Sequence, residues 1–192
     1  FLVFCLWMPS VQADENCDPG KDVTRIAVAG GSITEIVYAL GRASQLVAVD
    51  RTSNFPVAAR SLPSVGYVRN LSAEGILSLR PTIVLGEDDM GPPEVLEQLA
   101  SVSVDIRTVP EAHTPEGIVE KFECVASLLG LSEAETLPHL LEMSRLVGVI
   151  RGLPELVSDQ DEALVAIILN IQSGSPIVAG SGTSGDGVIS ML

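Results

Sequence analysis

The stretch TRIAVAGGSITEIVYALG, residues 24–41, contains one complete strand, turn and helix. Its first part is a β-branched apolar run that stops at Gly30, as is typical of a buried strand before a tight turn. The helix is predicted to begin at Ser32, with Glu35 three residues later in the spacing of a capping box, and to end at Gly41. The apolar residues of the helix share one face, so the unit predicts a strand covered by an amphipathic helix.

The same alternation continues along the chain. Strand patterns recur at QLVAVD, TIVLG and VDIRTVP. The helix patterns between them begin at Ser72, which can cap a short helix, and at the adjacent prolines Pro92 and Pro93. Strands that alternate with helices predict a mostly parallel sheet covered on both faces.

After Pro110 two helical patterns follow each other, the first with Thr114 as its cap, and strand patterns return at ALVAIILNI and PIVAG. We therefore predict an α/β protein of two lobes with a helical linker. The N-terminal lobe is placed at 23–112, the helical spacer at 113–153 and the start of a C-terminal α/β lobe at 162–192. The apolar pattern GDGVISML runs to the last residue, so the second lobe is expected to be incomplete here.

Residues 1–13, FLVFCLWMPSVQA, form an apolar run that ends in small residues before Asp14 and Glu15. This is typical of the hydrophobic region and cleavage site of a secretory signal peptide. The run is too short to span a bilayer. We therefore predict an exported protein without stable membrane insertion.

The net charge is strongly negative, at -14. A nucleic-acid partner would call for a basic face, so this class of partner is excluded. The 46% of hydrophobic residues are enough for a real core, which excludes a disordered tail.

Two cysteines, Cys17 and Cys124, remain once the signal segment is set aside. In an oxidising compartment they can form a disulfide that ties the N-terminal tail to a helix. Two unpaired small residues are the alternative, and the sequence leaves both open.

A ligand-binding cleft is expected at the carboxyl ends of the strands, where open α/β sheets bind their ligands. Residues that follow strands in the sequence should line it: Gly30, Gly31, Arg51, the turn GEDDMG and the loop LPSVGYVRNLSAEG, residues 62–75. This loop holds Tyr67, and the preceding Gly66 leaves room for a flat ligand.

The stretches AVAGGSITEIVYALG, LVAVDRTSNFP, LPSVGYVRNLSAEGILSLRPTIVLG and GPPEVLEQL together resemble the periplasmic haem-binding proteins that feed ABC haem importers. The resemblance covers most of residues 24–110 and includes VAGSGTSGDG further on. It implies two lobes with a rigid helical backbone, the class III type of binding protein, and haem held in the cleft by a tyrosine. The matching tyrosine is Tyr67. Thr82 departs from the family, which usually has an aspartate there.

The chemistry of Tyr67 fits that implied role. A phenolate is an anionic oxygen ligand suited to ferric iron, and tyrosine is a recognised axial ligand of haem. Nearby positive charge favours the phenolate, and Arg69, two residues on in an extended segment, is expected on the same side. Arg69, and after it Arg51, are candidates for pairing with a haem propionate. The residue pattern without the resemblance favours an ordinary half-buried loop tyrosine, and simple solvation is the alternative for the two arginines.

Glu74 looks like the glutamate with which such binding proteins dock onto arginines of the membrane permease. The implied partners are haem, an inner-membrane ABC permease and its ATPase, and the implied role is periplasmic iron acquisition, without an enzymatic activity. A carboxylate at a helix start, favoured by the helix dipole, is the alternative for Glu74. An iron-siderophore or a corrinoid is the alternative ligand.

Other motifs suggest competing functions. GSGTSG, at 180–185, matches a dinucleotide fingerprint literally, but it comes late in the chain, export would remove the protein from the usual NAD pool, and the sequence ends before an acidic ribose partner could appear. GEDDMG offers carboxylates for a hard cation without the spacing of a calcium loop. His113 and His139 lie off the expected rim and are predicted to be solvated. None of these patterns forms a catalytic set.

Overall fold

The computed structural model describes residues 17–156 and 165–191, so the predicted signal peptide lies outside the described residues. The strands are β1 Ile26–Ala29, β2 Leu46–Val49, β3 Gly66–Tyr67, β4 Asn70–Leu71, β5 Ile83–Glu87, β6 Asp105–Val109, β7 Ile168–Gln172 and β8 Ser175–Val178. The helices are α1 Gly31–Ala39, α2 Ala73–Ser78, α3 Pro93–Ser101, α4 Pro115–Leu128, α5 Glu133–Leu156 and α6 Ser184–Ser190.

A parallel sheet forms the centre of the first lobe, with strand order β2-β1-β5-β6. The chain leaves β1 toward β2 and then crosses back over β1 to β5. The direction of winding therefore reverses between β1 and β5, which places a crevice at the carboxyl ends of these two strands. The predicted α/β class with a parallel sheet is confirmed.

The core has two parts, one on each face of the sheet. Alternate residues of β1 point to opposite faces, as strand geometry requires: Ile26 and Val28 to one, Ala27 and Ala29 to the other. The first face is covered by α1 and α4, and the second by α2, α3 and the hairpin of β3 and β4. The hairpin is thus part of the packed core of the lobe and does not project from its surface.

Helix α4 packs in the core of the first lobe, although the sequence analysis assigns it to the spacer. Phe122, Val125 and Leu128 are buried against β1 and β5. A disulfide between Cys17 and Cys124 ties the chain before β1 to this helix, which settles the question that the sequence leaves open.

The predicted helix start at Pro92 and Pro93 is confirmed, since α3 begins at Pro93. Of the three predicted side-chain caps, two are confirmed and one is wrong. Ser72 accepts a hydrogen bond from Gly75 N, and Thr114 accepts one from Gly117 N. Ser32 does not cap α1, which begins one residue earlier and has no side-chain cap. Its hydroxyl instead donates to Glu87, at 2.7 Å, because the carboxyl end of β5 lies beside the first turn of this helix.

The described part of the second lobe is the hairpin of β7 and β8, followed by α6. Helix α6 meets the loop after β6 closely: a Cβ on Gly187 would lie 2.5 Å from the Cβ of His113. A side chain at Gly187 would therefore push the two segments apart.

Candidate ligand-binding site

Tyr67 lies on the hairpin of β3 and β4, which is fixed to both sides of the crevice. On the side of β2, Arg51 N donates to the Gly66 carbonyl oxygen at 2.7 Å. On the side of β5, Gly91 N donates to the Val68 carbonyl oxygen at 2.9 Å. Because β2 and β5 are the two neighbours of β1, the hairpin joins the segments that follow these strands across the end of β1.

Gly66 is needed by the hairpin itself. Its φ is +108°, a region that favours glycine, and a Cβ would lie 2.7 Å from the carbonyl oxygen of Asn70 on the opposite strand. From the sequence, Gly66 is expected to leave the space that a flat ligand needs. The structure adds a reason inside the protein: only glycine permits the close strand pair that carries Tyr67.

The side chain of Tyr67 is exposed, with 42% of the residue accessible to solvent. Arg69 lies in the two-residue turn between β3 and β4, so the expectation that it follows Tyr67 in an extended segment is wrong. Its Nε donates to Asp89 Oδ2 at 2.6 Å. The hydrogen bond and charge of Asp89 raise the pKa of Arg69, and the Coulomb interaction with Tyr67 raises this pKa further. The turn therefore carries Arg69 two residues after Tyr67, with its guanidinium bound to Asp89.

Arg51 is held by its backbone, and its side chain is exposed. The preceding Asp50 is buried and accepts hydrogen bonds from Gly30 N at 3.2 Å and from the Ser53 hydroxyl at 2.6 Å. It also accepts from Thr52 N at 2.9 Å. These bonds fix the turn after β2 against the end of β1, so the backbone around Arg51 is well defined at the crevice.

The two glycines after β1 differ in their surroundings. Gly30 is buried, and a Cβ there would lie 3.0 Å from the side chain of Glu87. Gly30 thus faces this carboxylate and not open space. Gly31 is half-buried and lines a cavity of about 420 Å³ that extends to Val188 of α6. Tyr67 is not among the residues that line this cavity.

A buried lysine lies at the carboxyl ends of the strands of the sheet. The sequence pattern does not predict it. The Lys121 side chain, on α4, is 7% exposed. Its Nζ donates to Ser32 Oγ at 2.9 Å, to Glu111 Oε1 at 3.2 Å and to Glu87 Oε1 at 3.3 Å. The lysine cluster, Lys121 with these three residues, joins α1, α4 and the ends of β5 and β6. Every proton of the ammonium group has an acceptor, so the cluster is a structural support and not an open anion site.

The GEDDMG turn does not form a cation site. Glu87 points into the lysine cluster, and Asp89 pairs with Arg69. Across residues 17–156 and 165–191, no group of three or more acidic, histidine or cysteine side chains converges as a metal site.

The GSGTSG motif is explained by the start of α6. Thr183 Oγ1 accepts from Asp186 N at 3.3 Å, and Asp186 Oδ2 accepts from Gly182 N at 2.8 Å. The chain's own side chains therefore occupy the backbone N–H groups to which a phosphate would bind.

The histidines are more buried than predicted. His139 is partly buried and packs against Phe122, with ring centroids 5.7 Å apart. His113 lines the cavity beside Gly31, and its Nδ1 lies 3.9 Å from Glu111.

Glu74 is exposed in the first turn of α2, seven positions after Tyr67. In the described residues, no helix is both long enough and apolar enough to cross a membrane.

Solved haem-binding proteins resemble this chain. The periplasmic heme-binding protein RhuT from Roseiflexus sp. RS-1, in apo form, is 31% identical with a TM-score of 0.79, over 88% of this chain and 64% of that one. A periplasmic heme binding protein from Pseudomonas aeruginosa is 36% identical with a TM-score of 0.75, over 88% and 60% of the two chains. This chain therefore spans less than two thirds of either protein.

A curated relative is the vitamin B12-binding protein of Yersinia pestis (strain Pestoides F), which is 33% identical over 88 residues. The match covers 46% of this chain and 31% of that protein. A family profile described as periplasmic binding protein matches residues 26–191, nearly all of the described chain. The winding of the sheet, the structural neighbours and this match together show that the chain belongs to the periplasmic binding protein family.

Proposed function

We propose that this chain is part of a periplasmic protein that captures haem and delivers it to an inner-membrane ABC importer, without catalysing a reaction. The observation that carries the proposal is the exposed Tyr67 on a hairpin fixed across the crevice, with the exposed Arg69 in the turn of the same hairpin. The similarity to two solved haem-binding proteins supports it.

Tyr67 is the proposed axial ligand of the haem iron. An iron ligand must be accessible and must hold its position before the metal arrives, and the 42% exposure and the backbone bonds of the hairpin meet both needs. A ferric ion binds the phenolate form of tyrosine. The protein thereby places a phenol oxygen, the atom that would bind the iron, on a fixed backbone at the crevice.

Arg69 and Arg51 are the proposed partners of the haem propionates. Arginine's planar group pairs well with a carboxylate, and its charge does not depend on pH in the physiological range. Both side chains are exposed near the hairpin, and the backbones that carry them are joined through the Arg51 to Gly66 hydrogen bond. Of the predicted lining glycines, Gly31 and Gly66 are proposed to border the crevice, whereas Gly30 faces Glu87 inside the lobe.

Delivery is proposed to use Glu74. It is exposed at the start of α2, and Ser72, which caps this helix, bonds through its N–H to Val65 just before the hairpin. The glutamate therefore lies at the same end of the lobe as Tyr67, where a permease that receives the ligand would dock. A matching contact from the second lobe is expected.

A corrinoid is the second candidate ligand, because the vitamin B12-binding protein is 33% identical over 88 residues. A corrinoid such as cyanocobalamin already carries axial ligands on its cobalt, so it would use the crevice without a bond to Tyr67. An iron-siderophore would instead use the arginines for charge pairing. The three ligands therefore differ in their dependence on Tyr67.

A ligand panel tests the proposal. This chain, and a version that carries a complete second lobe, are titrated with hemin, cyanocobalamin and a ferric siderophore, and free ligand is measured after ultrafiltration. We expect saturable binding of hemin alone. If the protein bound cyanocobalamin or the siderophore but not hemin, that ligand and not haem would be the one it captures.

A further inference from the structure

Asp50 is a buried carboxyl group at the carboxyl end of β2. Only 2% of the residue is exposed, and among the described residues no lysine, arginine or histidine side chain pairs with it. Burying such a polar group costs free energy unless hydrogen-bond donors replace the water that it loses. The groups that donate to Asp50 therefore show which segments it holds together.

Four donors from two segments meet at this side chain. Oδ1 accepts from Gly30 N at 3.2 Å, at the end of β1, and from the Ser53 hydroxyl at 2.6 Å. Oδ2 accepts from Thr52 N at 2.9 Å and also from the Thr52 hydroxyl. The Ser53 hydroxyl in turn lies 2.8 Å from the hydroxyl of Thr34, a buried residue of α1. Asp50 thus fixes the turn after β2 against the end of β1 and the first helix.

The backbone on either side of Asp50 binds the segment that leads into Tyr67. The two hydrogen bonds run from Val65 N to Val49 O at 2.9 Å and from Arg51 N to Gly66 O at 2.7 Å. Asp50 lies between the two residues of β2 and its turn that form these bonds, and Gly66 directly precedes Tyr67. The side chain that fixes the turn therefore also fixes the β2 side of the hairpin.

We propose that Asp50 is a positioning residue for ligand capture, which holds the turn after β2 in place and, through the Arg51 N–H, the β2 side of the hairpin on which Tyr67 meets the ligand. The role in capture rests on the proposed function. The hold on the hairpin is a property of the protein without ligand, so it can be measured separately.

An aspartate suits this position because both of its oxygens accept hydrogen bonds. One oxygen binds the end of β1 and the Ser53 hydroxyl, and the other binds both donors of Thr52. An asparagine has the same size, but it offers one oxygen and one NH2 group. Its NH2 group would face one of the two pairs of donors, so Asp50→Asn breaks one half of the arrangement without leaving a cavity.

Amide hydrogen exchange in the protein without ligand, followed residue by residue by NMR, tests the hold on the hairpin. In Asp50→Asn we expect the Arg51 N–H to exchange at least about tenfold faster, because losing acceptors for buried donors lowers the cost of local opening. The Gly91 N–H holds the β5 side of the same hairpin through Val68 O at 2.9 Å and should change much less. A general loss of stability would accelerate both amides, so equal acceleration, or an unchanged Arg51 N–H, would overturn the positioning role.

Two further variants complete this test. Asp105→Asn is the matched control, because Asp105 lies at the start of β6, on the opposite edge of the sheet, and its side chain is 16% exposed and bound to Arg107. It should show no selective effect on the Arg51 N–H. Ser53→Ala removes one donor to Asp50 and is a milder variant in case Asp50→Asn does not fold. It should also accelerate the Arg51 N–H more than the Gly91 N–H, and equal rates of change would again count against the role.

A second measurement, of hemin dissociation, connects the hold on the hairpin with capture. If the proposed function holds, hemin should leave Asp50→Asn about threefold to tenfold faster than Asp105→Asn, because a binding group on a looser support loses part of its affinity. Equal rates would show that Asp50 has no part in capture. If the unsubstituted protein does not bind hemin, the proposed function fails, while the exchange measurement without ligand still decides whether Asp50 holds the hairpin.

Discussion

Replacing Lys121 by methionine should strongly destabilise the protein. Methionine keeps the length and the apolar stem of the side chain but removes the ammonium group that Glu87, Glu111 and Ser32 share. Removing one partner of a fully buried ion pair costs about 3–5 kcal/mol, because the remaining charge stays buried without compensation. The side chains of Glu87 and Glu111 are 18% and 32% exposed, so they regain some hydration. We therefore expect the free energy of unfolding to fall by about 3 kcal/mol, near the lower end of this range.

Urea unfolding followed by far-UV circular dichroism at neutral pH measures this loss. Lys21→Met is the matched control, because Lys21 is exposed and makes no ion pair among the described residues, and it should change the free energy of unfolding by less than about 0.5 kcal/mol. Adding Glu87→Gln to Lys121→Met should recover part of the loss, since it removes one uncompensated charge. Equal stability of Lys121→Met and Lys21→Met would refute the interpretation of the lysine cluster as a support of the carboxyl edge.

Three further predictions concern the backbone, the disulfide and pH. Gly66→Ala should lower the free energy of unfolding by about 2–3 kcal/mol, because Gly66 has a positive φ and lies close to the opposite strand. The control Gly41→Ala should lower it by only about 1 kcal/mol, since Gly41 has a positive φ but open space around it, and urea unfolding compares the two. Cys17→Ser should lower the free energy of unfolding by up to about 4 kcal/mol, because the bridge closes a loop of 107 residues, and equal stability with and without reductant would contradict this. Burial would raise the pKa of Asp105, but hydrogen bonds from Arg107 and the backbone outweigh it and lower this pKa, so the stabilisation is present above about pH 4 and is lost as the pH falls further. The difference in unfolding free energy between wild type and Asp105→Asn should therefore shrink from about pH 5 to about pH 2, and a constant difference would argue against it.

The elements of the fold could be predicted because their signals are local. The strand and helix of residues 24–41, the caps Ser72 and Thr114, and the parallel sheet all follow from periodicity and from residues within one turn of each other. The disulfide does not follow from the sequence, because the bond joins positions 107 residues apart and cysteine spacing alone does not determine the pairing.

The details of the candidate site depend on contacts between distant segments, and sequence patterns do not show these. Ser32 has the spacing of a cap, yet its hydroxyl binds Glu87, which is 55 positions away. Lys121 looks like a solvated charge on a helix, and it is buried because two strand ends meet there. An extended segment predicts Arg69 on the same side as Tyr67, but a two-residue turn intervenes, and the Arg69 guanidinium binds Asp89, 20 positions away in the chain.

The central claim is that Tyr67 binds haem iron, and the absorption spectrum of the hemin complex tests it most directly. Hemin is titrated into the wild type, Tyr67→Phe and the control Tyr38→Phe, in which the exchanged tyrosine lies on α1. We expect the wild type and Tyr38→Phe to show the saturable high-spin ferric spectrum of a tyrosinate complex, with its charge-transfer band, and Tyr67→Phe to lose it. An unchanged spectrum in Tyr67→Phe would contradict the account.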